Sequence, residues 1–482
     1  MRLVHEVVAA VVPEQRDAGR PTRHFGRTAL AIVVMLCGLT LLIGFANKDR
    51  CTGPQFDQWG RTQPDYDKRN KAEVCYSDIQ HLWIGRDIDR HVFPYVDGGI
   101  NDKGVLVGGS VEYPVLTGVL IWIGALFAHN DAEFLFYSAM LMLPFGLATG
   151  WMLGKLGRWR ALLWAIGPPL VLYAFHNWDL PVVFCSVAAV YVVHRWNRPL
   201  HERTIVASIL LALGFAFKIY SGIFVLPLML YVLTGGRDGR ELPDGKKYDP
   251  LGACRVVTAA IATVVLVNLP FAVAGYDGWK ASFTFQQLRR VDITTNSVWY
   301  WGLRPFMDDN EMQSLVGLLS PVTIIISFAV ACWIGWRRYR AEGTYPWIPV
   351  SGAMLCGFML LHKVHSPQYT LWLVPMFVLL RVPLRWAFAY FVADLAMGIG
   401  IFRWFYAIEF GQPAGIYDSF SAQAVMIGVW GRAALLVALF VAFLKARDVV
   451  SDDDDDRRVL GKTAARQTRR QAGLPRASGE SA

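Results

Sequence analysis

Two imidazoles, an ammonium, an amide and a phenol occupy eight consecutive residues, His362-Lys363-Val364-His365-Ser366-Pro367-Gln368-Tyr369, at the junction of two apolar segments. Ionisable groups in such a place are costly and ordinarily face a cavity or pathway rather than lipid, which makes the cluster a candidate site. Asp78 lies in Cys75-Tyr76-Ser77-Asp78-Ile79-Gln80, with Leu82 and Trp83 nearby. Apolar and aromatic neighbours of this kind desolvate a carboxylate and raise its pKa, as a general base requires. Asp87, Asp89 and Asp97 are rivals in the same segment, and any of the four can instead cap a short helix. Lys218 ends one apolar run and begins the next, beside Tyr220. It either snorkels or binds a phosphate as a point charge. In His176-Asn177-Trp178-Asp179 the aspartate precedes Leu180-Pro181 and reads as a helix cap. Arg289 and Arg290 either engage an anionic headgroup or phosphate or are plain surface charge.

The elements that position these residues are membrane helices. Over 482 residues the chain is 54% hydrophobic with 18 Trp and 28 Phe, and its mean hydropathy is +0.34. A soluble domain of this length would not carry such a composition. Apolar runs recur from 28 to 444, each about long enough to cross a ~30 Å hydrocarbon core. The clear ones centre on 28–46, 132–153, 255–274, 314–336, 384–405 and 421–444, and shorter ones on 161–175, 180–194, 203–217, 219–234, 345–362 and 368–381. Arg16, Arg20, Arg23 and Arg27 precede a first run too long for a cleavable signal, so it anchors. The expectation is an all-α polytopic membrane protein with about twelve crossings.

The net charge of +9 reports topology and not a nucleic-acid partner, because the basic residues sit in short connections. Those at Lys155/Arg158/Arg160, Arg195/Arg198/Arg203, Arg237–Arg255, Arg337/Arg338/Arg340, Arg381/Arg385 and Lys445/Arg447 are expected to be cytoplasmic. The alternate connections are then external: His129–Asp131, His176–Asp179, Lys218–Tyr220, 275–313, His362–Tyr369 and 406–420. Both termini fall in the cytoplasm of a protein placed in the plasma membrane, and the polar candidates share the external face. Residues 112–128 are apolar but have the wrong parity to cross, and read as an external juxtamembrane or re-entrant segment. The division expected is a cytoplasmic segment 1–27, a membrane domain 28–444 containing a long external loop 47–131, and a disordered cytoplasmic tail 445–482 with the acidic run Asp452–Asp456.

The loop part 47–111 shows no helical periodicity and is too long for a plain connector. Within it, Cys51 and Cys75 either close a disulfide in an oxidising compartment or remain free thiols. The other five cysteines, Cys37, Cys185, Cys254, Cys332 and Cys356, read as core packing. No spaced His/Cys set suggests zinc. A divalent metal is compatible with the sequence but nothing demands a cofactor.

In chain order there follow an Asp in the first external loop, a Tyr113-Pro114-led apolar segment, an external polar turn, Ala216-Phe217-Lys218-Ile219-Tyr220 leading to Leu226-Pro227-Leu228, and His365-Ser366-Pro367-Gln368-Tyr369 before Leu373-Val374-Pro375. This series resembles the integral-membrane glycosyltransferases of the GT-C superfamily across residues 28 to 444. Within it the series is most similar to glycosyltransferase family 87, the actinobacterial mannosyl- and arabinofuranosyltransferases that use polyprenyl-phosphate sugars. The resemblance implies that Asp78 is the catalytic carboxylate and that juxtamembrane helices account for 112–128. It further implies that Lys218, His365, Gln368 and Tyr369 hold the lipid phosphate or the acceptor sugar; Lys363, Tyr113, Asn177, Arg289 and Arg290 are the further binding candidates expected around them. This chain departs from the family at Tyr113-Pro114-Val115, where many members have Tyr-Pro-Pro, and at Asn177-Trp178-Asp179, where many have Gly-Gln. Those departures put the sugar and acceptor in question.

The reaction implied is an inverting transfer from a polyprenyl-phosphate sugar to a cell-envelope glycan or glycolipid. Asp78 would deprotonate the acceptor hydroxyl, and Lys218 and His365 would stabilise charge on the departing phosphate. A phosphate leaving group needs no general acid, so one carboxylate suffices, unlike the pair of most glycoside hydrolases. Two other classes compete. A transporter or flippase predicts repeated halves and midplane ionisable groups, whereas the polar residues here gather at helix ends. A non-catalytic subunit of an envelope-assembly complex is the third reading. Asp78→Asn is expected to abolish sugar transfer; full activity in that variant removes Asp78 from the mechanism, and transport without transfer favours the transporter.

Overall fold

The computed structural model describes residues 25–449, a predominantly helical chain; the 1–24 segment and the tail with Asp452–Asp456 lie outside the described residues. Among the described residues, eight helical segments, some of them built of consecutive shorter helices, are long and apolar enough to cross a membrane: Arg27–Asp49, Asp131–Ala165, Leu200–Phe217, Ile219–Gly239, Pro250–Ala274, Asp309–Glu342, Leu384–Glu409 and Phe420–Lys445. Three shorter apolar helices, Val115–Ala125, Leu180–Arg195 and Trp347–Leu361, accompany them. The protein is therefore an all-helical, multi-pass membrane protein. Some runs expected to cross are short or broken. Residues 158–175 form a 3-10 turn and two short helices, Leu162–Ala165 and Pro168–Tyr173, parted where Gly167 meets Pro168-Pro169. Proline at the first turn begins a helix but cannot continue one. Thr370–Leu379 is a ten-residue helix with every residue buried. It covers only about 15 Å, and reads as the centre of the bundle rather than as a full span.

The connections sort by charge to opposite ends of the bundle. At the basic end Arg160 donates to the carbonyls of Phe377 (2.8 Å), Leu380 (3.1 Å) and Val382 (3.0 Å). There too Arg203 pairs with Glu241 at 2.6 Å, and Arg338 donates to the carbonyls of Leu444 and Ala446. These arginines tie several helix ends together while remaining near water. At the other end lie the ends of the same helices, the 50–130 loop and all the candidate site residues.

Val115–Ala125 is eleven residues long, about half of what a ~30 Å crossing needs. It packs on Asp131–Gly157, Leu200–Phe217 and Pro250–Ala274, the placement expected of a juxtamembrane element. The 47–111 segment, which shows no helical periodicity in sequence, contains Tyr66–Ala72 and Asp78–Gly85, both too short to give a periodic signal. Two two-stranded antiparallel ladders, Gln55–Phe56 with Thr62–Gln63 and Gly99–Ile100 with Leu106–Val107, complete it. Cys51 and Cys75 form the disulfide, which fastens the stretch before Asp78 to the end of the first span. Asp131 joins the loop to the bundle: its carboxylate accepts from Arg61 Nη1 (3.1 Å), Thr62 N (3.0 Å) and Thr62 Oγ1 (2.6 Å).

Candidate active site

Asp78 is positioned by backbone contacts made before its side chain is considered. Ser77 is extended and caps Asp78–Gly85, accepting from Ile79 N at 3.2 Å. Its hydroxyl donates to the Phe175 carbonyl at 2.7 Å, and Asp78 N donates to the His176 carbonyl at 2.7 Å. The loop is thereby laced to the 175–177 turn. As first residue of its helix, Asp78 also sits where backbone dipoles favour a negative charge.

The carboxylate meets Asn177, whose Nδ2 donates to Asp78 Oδ2 at 2.5 Å and to Tyr113 Oη at 2.8 Å. Asn177 Oδ1 accepts from Lys218 Nζ at 2.8 Å and from Trp178 N at 2.7 Å. Two donors face the oxygen and a carboxylate faces the nitrogen, so the network fixes the amide orientation. The Lys218 ammonium lies 4.1 Å from the centre of the Tyr113 ring, a cation–π contact. One amide thus bridges the carboxylate and the ammonium.

Behind Asp78 the Tyr76 carbonyl accepts from Lys48 Nζ at 2.7 Å and bonds His176 Nδ1 at 3.1 Å. A carbonyl can only accept, which places the imidazole proton on Nδ1 and leaves Nε2 a lone pair. Burial first, with repulsion from Lys48 and Lys218, pushes His176 down to about 4 against the pull of Asp78. Burial would raise Asp78, but His176, the hydrogen bonds from Asn177 and Tyr76, and Lys218 together hold it below the usual carboxylate range. An imidazole titrating near 4 is uncharged at neutral pH, so there Asn177, Tyr76 and Lys218 keep the carboxylate ionised.

These groups line a cavity of about 790 Å³. Its polar wall carries Asp78, Asn177, Tyr113, Lys218, Arg86, Glu112 and Arg289, and its floor His362, Gln368 and Tyr369. Arg86 pairs with Glu112 at 2.9 Å. The opposite wall is one face of Leu384–Glu409, with Ile401, Phe402, Phe405 and Ile408, and Tyr76 stacks on Phe402 with ring centres 5.2 Å apart. Lys71 and Glu409 form an ion pair at the rim.

The polar turn His362–Tyr369 divides. Gln368 and Tyr369 face the cavity, with Tyr369 stacked on Trp372 at 3.8 Å. His362 lines it too, its Nδ1 near the Val364 carbonyl at 2.9 Å, and burial pushes it down to about 4. Lys363 turns away and caps the end of the Tyr276–Leu288 helix, donating to the carbonyls of Gln286 (3.0 Å), Gln287 (3.3 Å) and Arg289 (2.9 Å). His365 sits behind the turn, its N–H bonded to the Thr295 carbonyl at 2.7 Å. It is 5% exposed and does not line the cavity. Arg290 also lies apart from the lining, donating to Asn310 Oδ1 at 3.3 Å. Asp179 accepts from Trp372 Nε1 at 2.7 Å, a contact the sequence reading of a plain helix cap did not contain. Lys48, Arg86 and the apolar wall were not singled out from sequence either, and for Lys48 no signal existed, since its partner is a main-chain carbonyl. Among the described residues, no group of three or more His, Cys, Asp or Glu side chains converges to hold a metal ion.

No family model matches the chain, and no curated protein does. Solved structures similar to it include two membrane proteins. One is the crystal structure of ArnT from Cupriavidus metallidurans bound to undecaprenyl phosphate, at 13% identity, covering 86% of this chain and 77% of that one, with a TM-score of 0.38. The other is the apo oligosaccharyltransferase of Archaeoglobus fulgidus, at 13% identity, 86% and 56% coverage and a TM-score of 0.35. The chain spans little more than half of the latter.

Proposed function

We propose that this chain is a GT-C-type inverting glycosyltransferase that moves mannose or arabinofuranose from a polyprenyl-phosphate donor to a cell-envelope glycan or glycolipid at the external face of the plasma membrane. The observation that carries the reading is the pairing of one ionised, half-buried carboxylate with cations on a single cavity at one end of the bundle: Asp78 and Lys218, joined through Asn177, with Arg289 and Arg86 beside them. The sequence resemblance selects the same carboxylate and the same lysine.

In the step proposed, Asp78 accepts the proton of an acceptor hydroxyl as that oxygen forms its bond to the anomeric carbon. The bond from that carbon to the phosphate oxygen breaks on the opposite face, and the electron pair leaves with the lipid phosphate. Asp78 is pre-aligned because Asn177 occupies one carboxylate oxygen, and a base must sit within hydrogen-bond reach of the proton it takes. Lys218 and Arg289 supply positive charge where the phosphate leaves, held in place before the reaction begins. The apolar wall of Leu384–Glu409 is suited to a prenyl chain or to the apolar face of a sugar ring.

The test is to incubate purified protein with polyprenyl-phosphate mannose and polyprenyl-phosphate arabinofuranose, with a glycolipid acceptor, and to measure release of free lipid phosphate. Release by wild type but not by Asp78→Asn is expected. Absence of release with every donor overturns the reading.

A further inference from the structure

Two charged side chains at the centre of the membrane domain play no part in the chemistry just described. Asp394 and Arg432 lie near the middles of the adjacent helices Leu384–Glu409 and Phe420–Lys445. Their side chains are 1% and 0% exposed, and Arg432 Nη1 stands 3.7 Å from Asp394 Oδ1. Arg432 Nε donates to the Gly428 carbonyl at 3.2 Å, while Nη1 and Nη2 make no hydrogen bond among the described residues. A pair so incompletely satisfied is a poor source of stability, because desolvation of both ions offsets most of their attraction. Ionisable groups at this depth ordinarily serve a site.

The link from this pair to the cavity is explicit. Asp394 Oδ1 also accepts from Thr370 Oγ1 at 2.5 Å. Thr370 immediately follows Tyr369 and begins the buried helix Thr370–Leu379. Two residues on, Trp372 stacks under Tyr369 and donates to Asp179. Asp179 belongs to the turn whose Asn177 grips both Asp78 and Lys218. A continuous chain of contacts therefore runs from the ion pair, through the start of one buried helix, to both the floor and the polar wall of the cavity. The Arg432 charge also reaches His365 behind the floor, where burial, then Arg432 and His362, push the imidazole well below its usual range.

We propose that Asp394 and Arg432 are positioning residues: the pair holds Thr370, and Thr370 fixes the His362–Tyr369 turn and the 176–179 turn in the geometry that the transfer reaction uses. This inference rests on the glycosyltransferase reading for its kinetic arm. The competing role is purely structural, with the ion pair joining two helices and nothing more. Substituting Asp394 or Arg432 would confuse the two, since either leaves its partner as an uncompensated buried charge. Thr370 separates them, because Thr370→Val removes the link to the turn while leaving the pair and the volume in place.

For Thr370→Val we expect kcat to fall about 10- to 100-fold, the scale on which small misplacements of reacting groups act. The donor KM should stay within about threefold; the melting temperature should fall modestly in Thr370→Val under either role, because the buried Asp394 carboxylate loses a hydrogen bond, so kcat is the readout that separates them. Thr370→Ser, which keeps the hydroxyl, should restore kcat to near wild type. Wild-type kcat in Thr370→Val overturns the proposal. If wild-type protein releases no lipid phosphate from any donor, the glycosyltransferase reading has failed and amide exchange decides instead. Positioning then predicts about tenfold faster exchange across 362–369 in Thr370→Val and not in Thr370→Ser, and unchanged exchange in both overturns it.

Discussion

At the scale of residues, the neighbours of Asp78 set the chemistry open to its carboxylate. Replacing its carboxylate by an amide, Asp78→Asn, should abolish lipid-phosphate release while leaving expression and donor binding intact. Because its pKa lies below the usual carboxylate range, the rate in wild type should hold steady as pH falls through about 4, the ordinary carboxylate value, and drop only beneath it. An acid limb above that value would contradict the hydrogen-bonding described. His176 predicts a separate pH effect, on stability. In the unfolded chain it takes up a proton near its ordinary value of about 6.5, whereas in the fold burial delays this to about 4. Stability should therefore decline as pH falls across that window and level off below it, because there both states are protonated. Thermal melts in detergent should show a decline smaller by roughly 3 kcal/mol in His176→Gln, from the shift of the one group. Asp78, Lys218 and Asn177 were legible in sequence by type and order. Which side of the 362–369 turn meets the cavity was not, because alternation through an irregular turn is set by tertiary contacts such as that of His365 N with the Thr295 carbonyl.

At the scale of elements, hydropathy reveals long spans because a bilayer imposes length, and it fails for segments whose termini are set by single residues. Tyr66–Ala72 and Asp78–Gly85 are two turns each, and only the Ser77 cap marks the second. The Gly167-Pro168-Pro169 break was visible as residue types, but the apolar run around it masked the interruption. The Cys51–Cys75 pairing, left open by spacing, now has a consequence. It closes a loop of 24 residues in sequence separation, which in the chain-entropy account stabilises by about 3 to 4 kcal/mol. Its removal should chiefly loosen the segment leading to Asp78. A Cys51→Ser/Cys75→Ser double variant should show faster amide exchange over 50–77 and reduced turnover, with spans unchanged. Identical exchange there would mean that the contacts of Asp131, Lys48 and Ser77 suffice to hold the loop.

At the scale of the whole molecule, the charge rule and the fold agree on which connections share an end, since both follow from the same alternation of helices. Assigning the site end to the outside remains a prediction about cells. In a Cys254→Ser background, which removes an exposed thiol, a cysteine at Tyr417, 98% exposed, should react with an impermeant maleimide on intact cells, and one at Arg240 only after lysis. The reverse pattern would place the cavity in the cytoplasm and sink the external reading. The helices Pro250–Ala274 and Asp309–Glu342 are the most thinly covered, the former burying only Gly252, Ala253, Val256 and Ala260. A surface whose neighbour is hydrocarbon demands apolarity and no particular shape. In a saturation mutagenesis screen, Ile261, 59% exposed, should tolerate Val, Leu or Phe silently and reject Arg, which costs about 2.5 to 3.5 kcal/mol at a helix centre. Such positions can drift among apolar types indefinitely, so two of the most recognisable spans in the sequence are also the ones least able to preserve a record of ancestry.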